Sequence, residues 1–155
     1  MLAALCMNTI CKKECPETTG YVSDTEREWI AYSAGQTVNF VNFQGDTEVL
    51  SAGGVANQNY NPGGSKGDCP QWYESLHQPL WGLGLFEGAE LMVVHDRDNG
   101  NAPGHVCGYY MDMAPVNDVI INGATYNNVY ITFDSVYFFT KADGLIKAGE
   151  WMKVP

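Results

Sequence analysis

Apolar and polar positions alternate with period two through much of this chain, in runs too short for helices and punctuated by Gly, Asn, Asp and Pro. In residues 37–43, Val38, Phe40 and Asn42 fall on one side and Thr37, Asn39, Val41 and Phe43 on the other, so strict alternation fails at the end of the run. Gln44-Gly45-Asp46 then turns the chain into an apolar-containing run over 47–51, and residues 29–32 precede the pair. Three short strands joined by tight turns are predicted, an antiparallel meander. Residues 91–95 read as a further strand, closed by the polar stretch 96–104 and followed by a return strand through Val106, Cys107, Tyr109 and Met111. The clearest hairpin is Val119-Ile120-Ile121, Asn122-Gly123, then residues 124–133, since Asn-Gly supplies the two positive-φ positions of a two-residue turn. Turns at Asp134-Ser135, 141–144 and 148–150 make the last third a second meander. One segment departs from this period. Trp72, Leu76 and Leu80 recur at spacing four behind Pro70, predicting a short helix that stops near Gln78, ahead of Pro79. Residues 52–70 read as loop, long enough to hide an irregular edge strand.

Strands with alternating faces must close on something, and one helix cannot cover them all. The fold class expected is therefore mainly β: antiparallel meanders forming a curved sheet, a partial barrel or a sandwich, with one short helix. Residues 28–155 form the single β-rich domain, 12–27 a polar linker, and 1–11 the remnant of a signal and lipid-anchor segment. That last assignment rests on an apolar opening over residues 1–10 that runs into Cys11-Lys12-Lys13-Glu14-Cys15-Pro16. An apolar run ending at a cysteine followed by charge reads as an export signal feeding a lipidated thiol, Cys11. The run lacks the Lys or Arg that opens a complete signal, and Ile10 stands where a small residue is usual.

Composition narrows the picture. A formal charge of −10, from 8 Lys and Arg against 18 Asp and Glu, repels phosphate backbones, so no nucleic-acid partner is expected. With export, the cysteines enter an oxidising compartment. Cys69 and Cys107 are the expected disulfide pair, because both lie in the folded middle and Cys15 in the linker. There is no CxxC, and His77, His95 and His105 show no ligand spacing to the cysteines, so neither a metal nor a cofactor is expected. Asp96, Asp98, Asn99 and Asn101 offer oxygen ligands, but their spacing fails the calcium-loop pattern and serves a turn equally well.

Candidate chemistry is sparse. His95 and His105 flank the 96–104 turn and could face each other beside Asp96 or Asp112, yet no Gly-x-Ser-x-Gly elbow or His-Glu-x-x-His helix accompanies them. No catalytic residue is assigned. Trp72, Tyr73, Trp81 and Phe86 cluster around Gly82 and Gly84, with Tyr109-Tyr110 beyond. Exposed, Trp72, Tyr73, Trp81 and Tyr109 would be ligand-binding residues of a sugar- or protein-binding platform; buried, such rings fill a core, and burial is the expectation.

The ordering of Trp29, Gly35, Phe40 and Asn42 after a Cys-Lys-Lys-Glu start resembles small envelope lipoproteins of Bacteroidetes-type bacteria. So does the ending: Asn122-Gly123, Tyr126, Asn128-Val129, Val136-Tyr137-Phe138, Thr140-Lys141 and Asp143-Gly144-Leu145-Ile146. These pieces cover about half the chain. The resemblance implies a cell-envelope location and a β fold and supplies no catalytic residues. The expected function is a non-enzymatic binding or structural module, held to a membrane by its lipid and meeting an envelope protein or a glycan through loops on a rigid sheet. The alternative is a carrier of a small apolar ligand in a cupped sheet.

Overall fold

The computed structural model describes Cys15 and residues 20–61, 65–66, 69–70, 72–95, 104–110 and 114–155. Among the described residues the chain is mainly β: a large antiparallel sheet curled into a half-barrel, two separate two-stranded pairings and one short helix. The helix is α1 (Asp24–Arg27). The first strands are β1 (Thr37–Val41), β2 (Thr47–Ala52), β3 (Ala56–Tyr60), β4 (Ser65–Lys66), β5 (Cys69–Pro70), β6 (Tyr73–Trp81) and β7 (Glu90–Val94). They are followed by β8 (His105–Val106), β9 (Tyr109–Tyr110), β10 (Val119–Ile121), β11 (Ala124–Tyr126), β12 (Tyr130–Ile131), β13 (Tyr137–Thr140), β14 (Gly144–Ala148) and β15 (Trp151–Lys153). Hydrogen-bonded neighbours in the large sheet run β12-β13-β14-β15-β1-β2-β6-β7-β8-β9, and β3 also pairs with β6. The Tyr109 and Tyr137 rings meet at 5.6 Å, so the β9 edge comes round to β13.

Alternation sorts the side chains. Phe40, Leu50, Leu76, Leu80, Leu91, Val93, Val106, Phe139 and Leu145 line the concave face and are fully buried. The N-terminal arm fills what remains of the hollow. Trp29 packs edge-on against Tyr130 at 4.9 Å, and the Tyr32 hydroxyl accepts the Leu145 backbone N–H. Gly144, at φ 72, lies under Tyr32, where any Cβ would collide with that ring. On the convex face, Ile146, Phe138 and Met152 are covered by the β10–β11 hairpin and Val129, forming a second small core. Asn122 and Gly123 adopt φ 47 and 78, as the hairpin reading requires.

Four expectations are corrected. The helix expected over residues 70–80 is replaced by strand: Tyr73–Trp81 is β6, in the middle of the sheet. Spacing four satisfies a strand face as well as a helix face, and Leu76, Gln78 and Leu80 all point inward. Pro79 is tolerated because it sits where β6 passes from β3, whose last pair is Ala56 with His77, to β2, whose first is Ala52 with Leu80. Residues 29–32 are not a strand but the core-filling arm. The stretch read as linker is packed from Gly20 onward: Gly20 bridges Tyr73, Val22 is buried, and Ser23 and Glu26 form a capping box at α1. Finally, the disulfide joins Cys15 to Cys69, with Cα atoms 5.4 Å apart, and not Cys69 to Cys107. The packed arm brings Cys15 to the start of β6, while Cys107 is free and sealed in the main core. The edge strand sought in residues 52–70 exists as β3.

Candidate functional site

Because neighbouring strands are antiparallel throughout, turns 42–46, 82–89, 107–108, 132–136 and 149–150 all emerge at one end of the half-barrel. The N-terminal arm and the disulfide lie at the other, where β6 begins. The nine residues of β6 separate the two ends by about 30 Å.

The turn end is closed from within and aromatic without. Leu83 and Cys107 have φ 55 and 50, an unusual conformation for non-glycine residues, and both are buried as plugs. Gly82 permits the approach: at φ 102, a Cβ there would run into the Val49 carbonyl. Outward stand Phe43 at 76 % exposure, Phe86 at 51 %, Tyr109 at 44 % and Phe133 at 93 %. The two most exposed rings sit on braced turns. Asn42 Oδ1 accepts from the Gln44 and Asp46 N–H groups at 3.0 and 2.9 Å, and its Nδ2 donates to Asp46 Oδ2 at 3.0 Å. Likewise Thr132 Oγ1 donates to Asp134 Oδ1 at 2.7 Å and accepts from the Tyr137 N–H at 3.0 Å, while Ser135 N donates to Thr132 O. The backbones that carry Phe43 and Phe133 are thus fixed, and burying both rings against a partner is worth on the order of 4 kcal/mol. Phe86 lies beside the 107–108 turn, its Cζ 3.6 Å from where a Cβ on Gly108 would be. Among these turns Asp46, Glu87, Asp134 and Glu150 carry negative charge, and no Lys or Arg occurs.

The four aromatics singled out by sequence are not assembled into one platform. Trp72 and Tyr73 are half-buried at the start of β6, with Tyr73 stacked on His95 at 6.0 Å. Trp81 is exposed at the far end of that strand, about 26 Å of strand from Tyr73. Its ring lies across Gly53, on the outer side of β2. Only Tyr109 belongs to the aromatic rim. Phe43 and Phe133 were not singled out by sequence, although a signal exists: each is a large apolar residue inside a turn of otherwise polar chemistry.

Two polar constellations lie away from the rim. At the arm end, Tyr21, Asn57, Gln58, Asn59 and Glu74 line an open cleft of ≈ 200 Å³. Glu74 organises it, accepting from Val22 N at 2.9 Å, Asn57 Nδ2 at 3.0 Å and Arg27 Nη2 at 3.2 Å. On the convex face Ser75 Oγ lies 2.9 Å from His77 Nε2, and His77 Nδ1 lies 3.0 Å from Glu90 Oε1. These are the distances of a nucleophile–base–carboxylate relay, formed by residues at strand spacing that a helical reading of 70–80 conceals. Ser75, however, is fully buried at mid-strand between β3 and β7, whose ladders engage its backbone, so no oxyanion site adjoins it.

His95 and His105, which the sequence could set face to face, are apart from each other. His95 Nδ1 meets Glu26 Oε2 at 3.3 Å, whereas His105 lies near His77 and Glu90, its imidazole held below the usual range chiefly by burial, with His77 adding and Glu90 opposing. Among the described residues no group of three His, Cys, Asp or Glu side chains could hold a metal ion, and no helix is long and apolar enough to cross a membrane. Cys11, Asp112 and the 96–103 turn, with its candidate calcium ligands, lie outside the described residues. Comparison with known proteins found no matching family model, no similar curated protein and no similar solved structure.

Proposed function

We propose that this chain is a non-enzymatic binding module of the cell envelope, tethered to a membrane through a lipid on Cys11 and docking a protein partner on its aromatic rim. One observation carries the reading: among the described residues, core strands, arm and turn plugs pack into one buried cluster across the half-barrel interior, while aromatic side chains are left exposed on braced turns. A braced turn backbone lowers the ordering cost of association, which favours a docking anchor there. The filled interior favours this reading over a carrier of a small apolar ligand, which needs a vacant apolar cavity. The Cys15–Cys69 disulfide supports an oxidising compartment. Its position at the end opposite the rim leaves the aromatics facing away from a membrane tether.

Placing a photo-crosslinking phenylalanine analogue at position 133 or 43 in the native host tests the rim. The expected result is one discrete protein adduct shared by both positions and absent from position 120, an equally exposed site on the β10–β11 hairpin. Equal labelling at all three positions, or none at the rim, would overturn the docking assignment. Mass spectrometry of the host-membrane protein tests the tether through a diacylglyceryl adduct on Cys11.

A further inference from the structure

Resting on the docking role of the rim, we propose that its partner is a cationic protein segment, whose Arg or Lys side chains lie over the exposed Phe rings and pair with the carboxylates between them. The charge of the rim selects this class. The rim turns carry Asp46, Glu87, Asp134 and Glu150 and no Lys or Arg, within a chain of net charge −10. Among the described residues, Arg27 pairs with Glu74, Lys141 with Glu28 and Lys153 with Asp143, all away from the rim turns. An anionic partner surface would meet repulsion at the rim, whereas a guanidinium or ammonium gains from both the ring faces and the carboxylates.

The spacing suits an extended segment. The 132–136, 149–150 and 42–46 turns follow one another at intervals of two strands, so Phe133, Glu150 and Phe43 come in that order. Two strand spacings are about 10 Å, so the two turns that carry the rings lie about 19 Å apart along the curled sheet, with the Glu150 turn between them. That is the reach of about six extended residues, and too far for adjacent units of one sugar to stack on both rings. The same contact occurs inside the fold, where Lys147 Nζ sits 4.6 Å above the Phe138 ring.

The test uses the purified chain and fluorescein-labelled peptides of alternating Gly-Arg, Gly-Ser and Gly-Glu, read by anisotropy. The Gly-Arg peptide is expected to bind in low salt and to weaken by about tenfold or more when salt is raised to 0.5 M. The pair Phe43→Ser with Phe133→Ser leaves net charge unchanged and should weaken it about tenfold. Glu87→Gln with Glu150→Gln should weaken it more than Glu28→Gln with Asp118→Asn, which removes the same charge far from the rim. Equal effects of the two charge pairs, or no effect of the Phe pair, would mean general attraction to an acidic chain and overturn the proposal. Rim-specific binding of the Gly-Ser peptide or of chitotriose, with none of Gly-Arg, overturns the cationic class and leaves the docking role standing. Failure of the rim crosslinks removes the docking role itself.

Discussion

Cys107 is a thiol that water does not reach. Burial pushes it from its ordinary value of 9.0 up to about 12, and the neighbouring Tyr137 phenol rises from 10.0 to about 12, first through burial and then through Cys107, Tyr109 and Asp134. Tyr32, whose hydroxyl is tied to the Leu145 N–H, is raised further by burial. The unfolded chain surrenders these protons from about pH 9 upward, while the folded chain holds them to about 12, so the unfolded state binds fewer protons across that window. Stability contributed by these groups is therefore intact below pH 9 and falls as pH rises toward 12. Urea midpoints at pH 8, 9.5 and 11 should decline in that order, and Cys107→Ala should flatten the first step. A midpoint that holds steady to pH 11 would contradict the burial of these groups.

At the scale of elements, two glycines separate conformational strain from collision. Gly123 has φ 78 and open space around it, so Gly123→Ala should cost only the left-handed backbone penalty, about 1 kcal/mol. Gly82 has φ 102 and the Val49 carbonyl in the way, so Gly82→Ala should cost about 3 kcal/mol or more, with β2 forced from β6. Chemical denaturation of both variants checks the ordering, and equal losses would refute it. Strands are legible in sequence wherever an alternating or continuous apolar run ends at a turn with its own chemistry, as at Asn122-Gly123, after the run 91–94 and in the final meander. Residues 70–80 mislead because Trp72, Leu76 and Leu80 fit both periods, and only pairing with β3, β2 and β7 decides. Nor does the hairpin motif tell that β10–β11 folds over the convex face, since that depends on Ile146 and Phe138 some twenty residues away. The rim stays hidden for a similar reason: Phe43, Phe86, Tyr109 and Phe133 are scattered in the chain and gathered only by strand order.

For the whole molecule, the N-terminal arm is part of the globule. It is held by the Cys15–Cys69 bond, the Gly20–Tyr73 bridge, the Arg27–Glu74 ion pair and the Glu26–His95 contact. A disulfide spanning 54 residues restricts the unfolded chain by about 4 kcal/mol on the chain-entropy account. Reduction should therefore lower Tm by about 10 °C for a domain of this size. Calorimetry with and without reductant reads the shift, and a change under 2 °C would refute the staple as a stabiliser. Peptide mapping should recover Cys15 joined to Cys69, with Cys107 alkylated only after unfolding.

The same bond decides where a mechanical pull is felt. Tension on chain preceding Cys15 passes through sulfur to Cys69 and into β6, a strand gripped on both sides by β3, β2 and β7. Helix α1 and its contacts lie off that route and bear no force while the crosslink is intact. A reductant would reroute the load onto Gly20 and the helix, turning a firm mooring into one that peels.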